Sequence, residues 1–107
     1  MTRLYLSGPM TSYPLFNFPA FNEAEKKLRA AGFEVENPAS KGIVDGWDWV
    51  DYLKFDLTQL FRCDAVATLE GWVESRGAWL EVSTARALGM SIRPVDDWIA
   101  PRLDEAA

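Results

Sequence analysis

The sequence predicts an α/β fold: a three-layer sandwich in which a small parallel sheet lies between helices. Three observations carry that reading. Strand-like and helix-like segments alternate as far as Val95, the pattern of a parallel sheet covered on both faces. Residues 64–69 form an apolar run that suits a strand buried on both faces. In residues 75–89, Ala78, Val82, Ala85 and Leu88 recur at helical spacing. At 107 residues the chain is expected to be one domain over 1–107, long enough for a hydrophobic core.

The elements follow in order. Residues 3–7 read as a first strand, ended by Gly8-Pro9, and a surface loop with Tyr13-Pro14 comes next. Asn17 is expected to cap a helix with Pro19 in its first turn and Phe21, Ala24, Leu28 and Ala31 on its core face; Gly32 ends it. Residues 33–36 form a short second strand closed by Asn37-Pro38, and 39–47 form a loop. Val50, Leu53, Leu57 and Leu60 predict a second helix over 47–62. The strand 64–69 leads through Gly71-Trp72 into the helix 75–89, terminated by Gly89. Residues 91–95 make a fourth strand, whose Pro94 marks an edge or a strand end. The last four residues are expected to fray.

Composition excludes several classes. A net charge of −5 and a pI near 4.6 oppose non-specific binding to nucleic acid polymers or anionic membranes. No run reaches the ~18 apolar residues of a membrane span, and the start carries no signal-peptide core. A single cysteine, Cys63, cannot form an internal disulfide, so a reducing cytoplasmic location is expected. The absence of histidine rules out Ser-His-Asp and Cys-His schemes and His-rich zinc sites. Five tryptophans are many for this length. Some are expected to line a pocket or a subunit interface, which points to a homodimer or higher homo-oligomer.

Glu81 stands out. On a wheel of about 100° per residue it falls inside the apolar stripe, between Ala78 and Leu88. A carboxylate aimed at the apolar side of a helix needs a partner, a raised pKa or a function. The alternative is an edge residue that reaches water or meets Arg86. Ligands of open parallel sheets bind beyond the carboxyl ends of the strands. Around that crevice the topology gathers Ser7, Gly8, Pro9 and Met10, then Gly71 and Trp72, then Ser75, Arg76 and Gly77. Gly8 makes a tight turn that lets backbone approach a ligand, although no dinucleotide or P-loop motif is present. Ser75 reads equally well as a helix N-cap; free N–H groups at a helix start, with Arg76, also attract anions. Tyr5 is either a buried tyrosine with a satisfied hydroxyl or part of the site. Asp56 flanks the stripe of the second helix, and it is expected to approach Glu81 across the crevice. Two carboxylates with separated pKa values are the working parts of glycosyl-bond chemistry.

Taken together, Tyr5-Leu-Ser-Gly-Pro-Met10, Asn17-Phe-Pro-Ala-Phe-Asn22, Asp56-Leu57 and Arg76-Gly-Ala-Trp-Leu-Glu81, with Ala85 and Gly89, resemble the nucleoside 2-deoxyribosyltransferase superfamily. The likeness runs to Val95 and is nearest to a small branch found in phages and bacteria. It implies a flavodoxin-like, Rossmann-like fold. It also implies cleavage of the N-glycosidic bond of a 2′-deoxynucleoside or its 5′-monophosphate, with no cofactor and no metal. By motif, Glu81 matches the nucleophile that forms a covalent glycosyl-enzyme, Asp56 the carboxylate that assists departure of the base, and Tyr5 a tyrosine that orients the nucleophile. Six residues before the nucleophile, members acting on free nucleosides carry an acid; Ser75 stands there, as in relatives that hydrolyse 5′-monophosphates. Members also commonly complete the site from a neighbouring subunit, and nothing from Asp96 onward matches that residue.

Three classes of function follow. One is an N-glycosidase or deoxyribosyltransferase acting on a small nucleoside or nucleotide. The second is a non-catalytic module that captures a nucleotide or nucleotide-like signal. The third, a structural protein assembling through its tryptophans, accounts for neither Glu81 nor Asp56.

Overall fold

The computed structural model describes the backbone of residues 1–106 and the side chains of residues 1–100. Four strands, β1 (Arg3–Ser7), β2 (Glu34–Glu36), β3 (Ala65–Thr68) and β4 (Ser91–Pro94), alternate with helices α1 (Phe18–Ala30), α2 (Trp49–Leu60) and α3 (Arg76–Ala87), and α4 (Val95–Ala106) closes the chain. The sheet has the order β2-β1-β3-β4, and every pairing is parallel. β1 and β3 are central, with Tyr5 opposite Val66 and Ser7 opposite Thr68. The order reverses at β1/β3, so the carboxyl ends of these two strands form the switch point.

Strand alternation divides the core in two. Leu4, Leu6, Val35, Ala65 and Ala67 pack with Phe21, Ala24 and Leu28 of α1, and Trp98 and Ile99 of α4 close that layer. On the opposite face Tyr5 and Val66 meet Leu60 of α2 and Val82 and Ala85 of α3. Ser7 is two residues beyond Tyr5 and so shares its face, wholly buried. This face looks toward α3.

Several elements differ from the sequence expectation. α2 starts at Trp49, because Asp48 and Asp51 form a reciprocal capping box ahead of it. Val50 and Leu88 are 46% and 57% exposed; only Leu60 of the α2 stripe is fully buried. Val50 lies in the first turn of α2 and Leu88 at the C-terminal cap of α3, so each sits at a helix end and stays exposed. Asn17 precedes α1 in a left-handed conformation and makes no side-chain cap; its amide donates to the Pro9 carbonyl at 2.9 Å. Leu15 and Phe16 share that left-handed conformation. Residues 95–106, not assigned to a helix from sequence, form α4, anchored by the Trp98 indole donating to the Val66 carbonyl at 3.0 Å. The tail expected to fray is helical through Ala106, and Ala107 lies outside the described residues. Among the described residues, no helix is long and apolar enough to cross a membrane.

Candidate active site

Glu81 lies on the inner face of α3 with Ala78, Val82 and Ala85, and is 6% exposed. The two side chains that β1 turns toward α3 both reach it. Tyr5 Oη donates to Glu81 Oε2 at 2.6 Å, and Ser7 Oγ donates to Oε1 at 2.8 Å. Each carboxylate oxygen therefore has its own donor, and Arg86 takes no part. Burial pushes the Glu81 carboxyl up to about 7; the nearby Asp56 charge adds to the rise, while the Tyr5 and Ser7 hydrogen bonds and Lys41 oppose it. The Tyr5 hydroxyl is raised well above its ordinary value by burial, then by the charges of Glu81 and Asp56.

Glu81 forms part of the wall of a cavity of about 300 Å³ bounded by the turn after β1, the segment after β2, α2 and α3. Asp56 lines the same cavity from α2. Lys41, at the end of a 3-10 turn over Pro38–Lys41, donates to Asp56 Oδ1 and, at 2.8 Å, to the Pro38 carbonyl. Burial raises the Asp56 carboxyl even though Lys41 pulls it down. The Lys41 charge also sits 5.2 Å from the Phe55 ring centroid and 5.8 Å from that of Tyr52. Such contacts compensate a desolvated cation.

The remaining expected residues are placed differently from one another. Gly8, Met10, Ser75 and Gly77 line the cavity. A Cβ on Gly8 would stand 2.7 Å from Leu69 Cβ, so packing against β3's exit, in addition to any ligand, demands glycine there. Ser75 Oγ accepts from Ala78 N at 3.3 Å and so caps α3 from a position on the cavity wall. Arg76 is not in the lining; its guanidinium stacks 4.3 Å over the Trp49 ring. Pro9, Gly71 and Trp72 lie off the cavity as well. Pro9 and Tyr13 crowd the space above Gly71, and Trp72 packs behind the site against the Tyr5 and Leu60 layer. Tyr5 and Ser7 support Glu81 from below without lining the cavity.

Of the tryptophans expected at a pocket or an interface, Trp47 and Trp49 line the cavity. Sequence reading missed Phe16 and Tyr52, which add aromatic surface, and Lys41, which supplies the cation beside Asp48, Asp56 and Glu81 in the lining. Trp47 meets Tyr52 edge to face at 5.2 Å. Four aromatics between Trp47 and Phe55 were the available signal; a lone lysine in a loop offers none. Among the described residues, no group of three or more acidic, cysteine or histidine side chains is placed to hold a metal ion.

Fold and site together define an α/β protein that brings Asp56 and Glu81 into one aromatic-walled cavity at the strand switch point. The chain belongs to the family described as a domain of unknown function, DUF4406, whose model matches residues 2–93. Among solved structures it is similar to the 2-deoxyribosyltransferase of the psychrotolerant bacterium Bacillus psychrosaccharolyticus, with a TM-score of 0.64 and 21% identity, over 84% of this chain and 69% of that one. At that identity the likeness is one of fold. No curated protein matches the sequence.

Proposed function

We propose that the protein cleaves or transfers at the N-glycosidic bond of a 2′-deoxynucleoside 5′-monophosphate, or of the deoxynucleoside, through a covalent glycosyl-Glu81 intermediate. The observation that carries this reading is the buried Glu81 carboxylate, fixed through both oxygens by Tyr5 and Ser7 at the cavity wall. An oxocarbenium-like transition state is stabilised by such an oriented negative charge. Glu81 attacks the anomeric carbon, the bond to the base breaks, and Asp56 assists departure of the base. Water or a second base then releases the sugar and regenerates the carboxylate. The aromatic wall offers stacking surface to a base.

Support for a phosphate comes from Ser75 at the cavity wall and the first N–H groups of α3. A serine there accepts an anion that a carboxylate would repel. The test is base release from a panel of deoxynucleotides and deoxynucleosides, followed by chromatography. Release that disappears in Glu81→Ala while ligand binding persists is the expected result. Binding without release from any member would favour the capture module. Equal or better kinetics on unphosphorylated nucleosides would reduce Ser75 to a helix cap.

A further inference from the structure

We propose that Lys41 and Asp56 act as one recognition pair that selects lactam bases, those carrying a ring carbonyl next to a ring N–H, with Lys41 stabilising the departing base. The inference rests on the glycosyl-transfer reading above and names the leaving group that reading leaves open. A lysine ammonium has three N–H donors. In Lys41 one goes to the Pro38 carbonyl and one to Asp56 Oδ1, which leaves a third. Asp56 uses only Oδ1; Oδ2 takes part in no hydrogen bond, and no fully buried side-chain oxygen among the described residues lacks a partner, so Oδ2 keeps some exposure on a residue that lines the cavity. Both residues line that cavity. Their side chains are 15% and 13% exposed, so a ligand in the cavity meets a spare donor and a spare acceptor side by side on two largely buried side chains.

A ring carbonyl flanked by N–H complements this pair: the oxygen accepts from Lys41 and the N–H donates to Asp56. Charge decides between bases whose edges fit comparably. As the bond between the anomeric carbon and the base breaks, its electron pair goes to the base, and a Glu81 lone pair forms the new bond to that carbon. In a lactam base the negative charge spreads onto the carbonyl oxygen, where the Lys41 ammonium already sits. Water then opens the glycosyl ester, the sugar takes the hydroxyl, Glu81 returns as carboxylate, and the proton of that water ends on the base. An amino base such as adenine places only a neutral ring nitrogen against Lys41. Cytosine, with its oxygen on Lys41, turns a nitrogen lone pair toward the Asp56 carboxylate.

The experiment compares base release from deoxyinosine and deoxyadenosine monophosphates, and from the uridine and cytidine counterparts, in the wild type, Lys41→Met and Lys41→Arg. A charge-assisted hydrogen bond of the usual strength gives a preference of roughly tenfold to a hundredfold in kcat/KM for the lactam member of each pair. Lys41→Met brings the ratio near one, and Lys41→Arg retains part of it. A wild type without preference, or favouring the amino bases, overturns the inference and leaves the glycosidase reading intact. If no substrate is turned over, the dissociation constants of free uracil and cytosine are read by quenching of tryptophan fluorescence. Tighter uracil binding that Lys41→Met abolishes supports the recognition pair while the glycosidase reading fails. Equal affinities, or no binding of either base, overturn the pair as well.

Discussion

Burial raises the Glu81 carboxyl from an ordinary value near 4.5 to about 7, and a raised pKa in the folded state makes stability depend on pH. The folded chain holds this proton more tightly than the unfolded chain does. The stability that the group contributes is complete below about 4.5 and is lost as pH rises through 7. Above that range the loss amounts to ~3 kcal/mol. Glu81→Gln keeps the shape and removes the charge, so urea denaturation should show the variant more stable than the wild type at pH 8. The two should converge near pH 4.5; parallel curves across this range would contradict the burial argument. Tyr5→Phe addresses the same carboxylate from the other side. It deletes the donor to Oε2, which opposes the rise, so the Glu81 ionisation should move further upward. Under the proposed mechanism kcat should fall by roughly 10- to 100-fold with KM little changed, since a hydrogen bond to a charged group contributes about 1.5–3 kcal/mol. The acid limb of the pH–rate profile should shift to higher pH. A fall in kcat with an unmoved limb would show that Tyr5 supports packing alone.

At the scale of elements, the site depends on where α2 and α3 begin. α3 starts at Arg76 behind the Ser75 cap, which places Ala78 and Glu81 on the inner face. α2 starts at Trp49, and the cavity residues Trp49, Tyr52 and Asp56 all project from it. The capping box of Asp48 and Asp51, with bonds of 3.0 Å in both directions, holds that start in place. Asp48→Ala should cost ~1 kcal/mol of stability by thermal or chemical denaturation. Because the aromatic wall frays with the first turn, it should also weaken nucleotide binding several-fold by calorimetry. Unchanged stability would mean that Trp47 packing on Tyr52 and Phe55 suffices to hold the helix start.

For the whole molecule, the topology brings four separate segments together. β1 supplies Tyr5 and Ser7, the turn after β2 supplies Lys41, and α2 and α3 supply Asp56 and Glu81. The same architecture leaves large apolar side chains uncovered: Leu15 is 74% exposed, Ile43 71% and Trp79 53%. We propose that side chains from this set take part in self-association, which requires that they form one contiguous patch. Light scattering at micromolar concentration should find a homodimer or higher homo-oligomer, and Trp79→Glu should weaken it without unfolding the chain. A monomeric wild type would remove this expectation.

The sequence by itself determined the parallel α/β layout, because apolar period and glycine or proline boundaries are local signals that each element carries alone. It also singled out Glu81, whose place in an apolar stripe is a property of one helix. Tertiary structure decided the rest. Val50 and Leu88 show that helical spacing names a face but not whether another layer covers it. α4 stayed unassigned because its hold on the sheet runs through Trp98 to Val66, a contact between residues far apart in the chain. Ser7 became a partner of Glu81 through strand alternation combined with the packing of β1 under α3. Lys41 gave no sequence signal at all: a loop lysine acquires meaning only when the fold buries it against an aspartate from another element, since burial and charge pairing are properties of the assembled chain.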